Sequence, residues 1–130
     1  MRNGIIRKIC SIFKLYPEIK LVYFFGSRVN NRKGPLSDYD FAVYLDEKDK
    51  KRIFDIKFEI MDKISRVLKT DKVDIVILNT IQSPEMKYNI LKQGKLIFEK
   101  EPFKVIVEPK ILNEYFDFHF LLLKYNLTKA

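Results

Sequence analysis

The chain has 130 residues, 47% of them hydrophobic and 32% charged, which is enough apolar content for one core and argues against disorder. Its single cysteine, Cys10, excludes an internal disulfide and a thiolate metal cluster. The net charge of +8 is uneven: residues 1–37 carry eight Lys or Arg against Glu18 alone, while residues 38–130 carry 17 basic against 16 acidic residues, so the excess lies early in the chain and would attract a triphosphate, an RNA end or an acidic protein surface.

Near Met1 charges break every apolar run, so no signal peptide or membrane span is expected and the protein is assigned to the cytoplasm, without a membrane partner. Ile5, Ile6, Ile9, Ile12, Phe13 and Tyr16 share one face of a helix over residues 4–16, which Pro17 ends. Cys10 falls in that stripe and reads as a packed thiol. Residues 20–25 are apolar without alternation, the pattern of a strand buried on both faces. Gly26 and Ser27 follow, with Ser27 placed as a helix N-cap whose neighbouring backbone N–H groups favour anions. A loop marked by Gly34-Pro35 leads into a second strand at 38–45, with Phe41, Val43 and Leu45 facing the core and Asp38, Asp40, Ala42 and Tyr44 facing the other way.

A long helix is predicted from about Glu47 to Lys69, capped by Asp46, with Ile53, Ile56, Ile60, Ile64 and Val67 as its buried stripe. The run Lys48 to Arg52 at its head has acids interleaved and reads as a solvated first turn. Residues 73–78 form a strand carrying Asp74 among apolar neighbours; a buried aspartate there needs a partner or a metal. Ser83-Pro84-Glu85 opens a short helix that Gly94 closes, and residues 95–99 form a further strand. At 103–109 strand propensity and the break imposed by Pro109 leave strand and helix both open. Residues 110–126 form a helix in which Phe116, Phe118 and Phe120 spread over more surface than a small sheet can cover, so part of it is expected to dock another protein. His119 on this helix has no second His or Cys at metal spacing and is assigned to packing or partner contact. The whole reads as one domain, 1–130, with a catalytic core over about 18–100 and a helical tail over about 103–130.

Side chains two apart on a strand share a face, so Asp38 and Asp40 converge. Two close carboxylates repel unless a cation lies between them, and a hard ion such as Mg²⁺ is the natural occupant. A phosphate-binding turn facing a carboxylate pair outlines a nucleotide-handling site.

A Gly-Ser pair at a strand end, followed after ten residues by Asp-x-Asp at the next strand, resembles the signature of the nucleotidyltransferase superfamily related to DNA polymerase β. Over about residues 1–100 the chain is most similar to the minimal nucleotidyltransferases, often antitoxin partners of HEPN-type ribonucleases. The resemblance implies an α/β (α+β) fold, a small mixed sheet with helices packed on it and a C-terminal helix. It makes Asp74 the third carboxylate and general base, with Asp38, Asp40 and Asp74 holding Mg²⁺, two ions in all. It assigns Gly26 to close backbone approach to the phosphates, and Ser27 and Arg28 to phosphate contact. The implied reaction moves AMP from ATP to a tyrosine hydroxyl of a HEPN-type toxin and releases pyrophosphate. Only about thirty residues follow the last predicted strand, too few for an acceptor-holding domain, which favours an acceptor presented by a partner or by a second copy of the chain. A small molecule or an RNA end as acceptor, and a binding antitoxin without catalysis, stay open. No residue is identified that reads the base, so ATP rests on the resemblance.

Overall fold

Residues 3–25 and 39–125 are described by the computed structural model, and in them the apolar patterning resolves into a four-stranded mixed sheet covered by helices on both faces. Helix α1 (Asn3–Lys14) precedes strands β1 (Ile19–Phe25) and β2 (Tyr39–Leu45). Helix α2 (Lys50–Leu68) then crosses over to β3 (Val73–Ile77), a 3-10 turn spans Leu78–Thr80, and α3 (Pro84–Gln93), β4 (Lys95–Glu99) and α4 (Phe103–Lys124) complete the order. The sheet runs β3-β2-β1-β4. β2 and β3 are parallel, as a helical crossover requires, and the other pairs are antiparallel. β1 lies inside the sheet, consistent with its unbroken apolar run.

One face packs on α1 and α2. Phe13 sits at its centre, within 6.3 Å of the Phe41 ring and 5.7 Å of the Phe98 ring, over Ile56, Ile60 and Ile64 of α2. The other face is a core in its own right. Leu21, Tyr23 and Ala42 are buried there beneath Ile90 of α3 and Val107 and Ile111 of α4. Ala42 and Tyr44 turn to the face opposite Phe41, Val43 and Leu45, as the alternation predicts, and that face is itself covered: α3 and α4 supply a second layer, and Ala42 is fully buried.

Three local readings change. α2 starts at Lys50, with Asp49 rather than Asp46 as the cap, its carboxylate accepting from Lys51 N at 3.1 Å. Asp46 N is used by the Glu18 carbonyl at 2.8 Å, and the Glu47 carboxylate turns onto the amides of Lys48 and Asp49, so this stretch is spent before the helix begins. Arg52 leaves the otherwise exposed head of α2 to bind Glu18 at 2.7 Å. Residues 103–109, open from sequence, belong to one helix that runs through Pro109. Pro109 has no N–H to donate to the carbonyl four residues back, but Val105 is 72% exposed, so water can donate to that carbonyl instead.

α3 follows the sequence reading. Ser83 accepts from Met86 N at 3.2 Å, Pro84 occupies the first turn and Gly94 N donates to Ile90 O at 2.8 Å. A Cβ at Gly94 would overlap that Ile90 carbonyl and stand 3.4 Å from Phe25 Cβ, so glycine is what lets α3 end directly against β1. The Cys10 thiol donates to Ile97 O at 3.3 Å, and burial pushes its pKa up, as befits a packed thiol. His119 is exposed and stacks on Tyr115. No helix among the described residues is long and apolar enough to cross a membrane.

Candidate active site

Alternation along β2 locks the site in place. Phe41, Val43 and Leu45 are buried toward α1 and α2, which forces Asp40 onto the opposite face with Ala42. In β3, Ile75 and Ile77 do the same for Asp74. Register then brings the two together: Asp40 is the partner of Asp74 across the parallel pair and of Phe25 across the antiparallel pair. Asp74, Asp40 and Phe25 thus form one transverse row on one face, with neighbours roughly 5 Å apart. Tyr39 N donates to Lys72 O at 3.2 Å and fixes the starts of β2 and β3 side by side.

Asp40 is half-buried and Asp74 is exposed. The desolvation reading of Asp74 is thereby corrected: as the second residue of β3, at the end of the sheet, it does not need a metal to repay burial. Its assignment rests on register instead. Gly26, Ser27, Arg28 and Asp38 lie outside the described residues. Phe25 ends β1 and Tyr39 opens β2 at this same end of the sheet.

Among the described residues no group of three metal-ligating side chains occurs. Two carboxylates one strand apart on one face, with Asp74 open to solvent, are nonetheless the donor chemistry a hard divalent cation takes, with room for water and substrate oxygens. The pair fits such an ion, and Asp38 is the residue the sequence offers as a third donor.

Several supporting residues escaped the sequence reading. Asn79 grips both backbone groups of Leu45, its side-chain oxygen accepting from Leu45 N at 2.9 Å and its amide donating to Leu45 O. It extends β2 toward the 3-10 turn as a further rung would. Tyr23 donates to Glu108 Oε2 and ties β1 to α4; burial first, and then the Glu108 carboxylate, push its pKa far up. Lys87 pairs with Glu114 at 2.8 Å and joins α3 to α4. Each pairs residues far apart in sequence, and none has a local pattern by which it could have been found.

Comparison with known proteins agrees with this geometry. Residues 7–103 match the family described as polymerase beta, nucleotidyltransferase. No curated protein matches the chain in sequence. Among solved structures, a toxin-antitoxin complex with AMP-PNP contains a chain of TM-score 0.72 and 22% identity, covering 92% of this chain and 94% of that one. A mutant MntA-HpeT toxin-antitoxin is similar at TM-score 0.72 and 21% identity, with the same coverage. A protein from Shewanella oneidensis is similar at TM-score 0.71 and 20% identity, covering 96% of this chain and 95% of that one. At such identities the structures speak for the fold, and the family match for the lineage: this chain belongs to the polymerase beta nucleotidyltransferase family.

Proposed function

We propose that the protein is an antitoxin that transfers AMP from ATP to a tyrosine hydroxyl of a HEPN-type ribonuclease toxin. The observation that carries the reading is the register of Asp40 on Asp74, which gathers two carboxylates on one face of the sheet in a nucleotidyltransferase fold. Two further observations support it. The similar structures include toxin-antitoxin complexes, one of them with AMP-PNP, and one carries two Asp-to-Glu substitutions two residues apart. The outer half of α4 also leaves Phe116, Phe120, Leu121 and Leu123 between 48% and 64% exposed, the kind of surface a protein partner covers.

In this mechanism Asp38, Asp40 and Asp74 would hold Mg²⁺, which when bound neutralises phosphate charge and lowers the pKa of a coordinated hydroxyl. Asp74, the open carboxylate of the pair, accepts the proton from the acceptor hydroxyl. The acceptor oxygen then bonds to the α-phosphorus and the bond to the β-phosphate oxygen breaks, releasing pyrophosphate. Gly26 and Ser27 present backbone N–H groups to the phosphates, and Arg28 offsets their charge. Phe41 and Ile75, buried behind the row, hold the carboxylates to one side of the sheet.

Label transfer tests this. With Mg²⁺ and ATP labelled at the α- or γ-phosphate, plus lysate of the source cell, only the α-label should reach a protein band of the toxin's mass, and not with Asp40→Asn. Label in RNA or a small molecule would replace the acceptor. No α-label anywhere, with the partner still bound, would leave an antitoxin that works by binding alone.

A further inference from the structure

The carboxylate row does not end at Asp40. Its next member is Phe25, and beyond Phe25 the same face opens into a cavity of about 340 Å³ between the end of β1 and α3. Phe25, Met86 and Ile90 give it apolar walls, and Asn89 and Gln93, one helical turn apart on α3, bring carboxamides to its rim. A carboxamide offers donors and an acceptor together, the complement of a nucleobase edge.

Charge says which end of a nucleotide belongs here. Among the described lining residues Glu85 is the single charged one, and it is acidic. None of the described lining residues is cationic, and what they offer, apolar walls and carboxamides, suits a neutral group. The cations that a triphosphate needs would be gathered at the other end of the row, on Asp40 and Asp74. The row from Asp74 to Phe25 spans two strand spacings, roughly 10 Å, which is about the reach from metal-bound phosphates to the base of one nucleotide. The volume is at the low end for ligand pockets and suits a nucleoside rather than a whole triphosphate.

We propose that this cavity receives the nucleoside of the donor triphosphate, with Phe25 and Met86 against the base and Asn89 and Gln93 reading its edge. The inference rests on the nucleotidyltransferase reading of the carboxylate row and adds to it where base preference is set. Asn89 and Gln93 are exposed helix positions, so alanine there preserves the fold.

Calorimetric titration with Mg²⁺ plus ATP, GTP, CTP, UTP or inorganic tripolyphosphate tests it on wild type, Asn89→Ala/Gln93→Ala and Asp40→Asn. Wild type should bind one nucleotide at least about tenfold tighter than tripolyphosphate, and the carboxamide double variant should lose about that factor while keeping its tripolyphosphate affinity. Nucleotides no tighter than tripolyphosphate, or a double variant with wild-type affinities and preference, overturn the cavity's role and leave the phosphate site standing. Tripolyphosphate binding unaffected by Asp40→Asn overturns the parent reading, and this one with it.

Discussion

On the α1/α2 side the sheet meets a continuous apolar layer in which Phe13, Phe24, Phe41 and Phe98 interlock, and the polar contacts, such as Arg52 with Glu18 and Tyr16 with Glu59, stay at its margin. On the α3/α4 side the apolar layer is thinner and polar ties run through it: Tyr23 to Glu108 and Lys87 to Glu114. The carboxylate row and the cavity beside Phe25 both open on this second side. The difference is a division of labour. One face provides stability through area and shape, and the other accepts weaker packing in exchange for open space and fixed polar geometry next to the site.

That comparison can be broken from either side. The largest effect should come from Phe13→Ala, which empties the centre of the first layer and should cost about 3–5 kcal/mol in urea unfolding, a large part of a domain's whole stability. Equal loss from the same truncation at Phe25 would erase the distinction. Asp74→Asn should do the reverse. Label transfer should fall about a hundredfold or more, while the unfolding free energy of this exposed position stays within about 0.5 kcal/mol of wild type. Tyr23→Phe removes a hydrogen bond to a carboxylate under α4 and should cost about 1–2 kcal/mol. If the second face owes its order to such ties, amide exchange should rise in α4 and leave α2 unchanged.

The smallest effect concerns pH. The Arg52 hydrogen bond holds the Glu18 pKa below its ordinary value of 4.5. A carboxylate with a depressed folded pKa stabilises above its unfolded pKa, and that contribution is lost as pH falls through the folded one. The wild-type urea midpoint should therefore drop slightly more between pH 6 and pH 3 than that of Glu18→Gln. A parallel fall would show that the marginal pair contributes nothing.

The first face was legible in the sequence, because it is written in periodicities. The stripe Ile56, Ile60, Ile64 and the alternation Phe41, Val43, Leu45 announce buried surfaces before any partner is known. The Ser83-Pro84 start and Gly94 stop of α3 were equally plain. The second face was legible only in part: the unbroken apolar run of β1 calls for cover on both sides, but α4 hides its buried residues, Val107 and Ile111, on either side of Pro109 and next to Val105 and Ile106, which stay exposed. Of the site, Asp40 and Asp74 were named from spacing and resemblance, and the sheet brings them together. Burial was the wrong reason for Asp74, since no residue pattern shows that the second position of β3 is at an open end. Asn89, Gln93 and Asn79 carry no motif and acquire meaning only when α3 and the 3-10 turn are placed.

The pairing of Asp40 with Asp74 also imposes a parity rule on the gene. Adding one codon between Asp74 and Ile75 would leave the apolar residues seated and turn the carboxylate to the opposite side of the sheet, toward α2. Adding two would return it to the original side, one rung farther along. Drift in chain length at this end of β3 is therefore constrained by odd and even, a tighter restriction than the identity of the neighbouring Val, Ile or Leu.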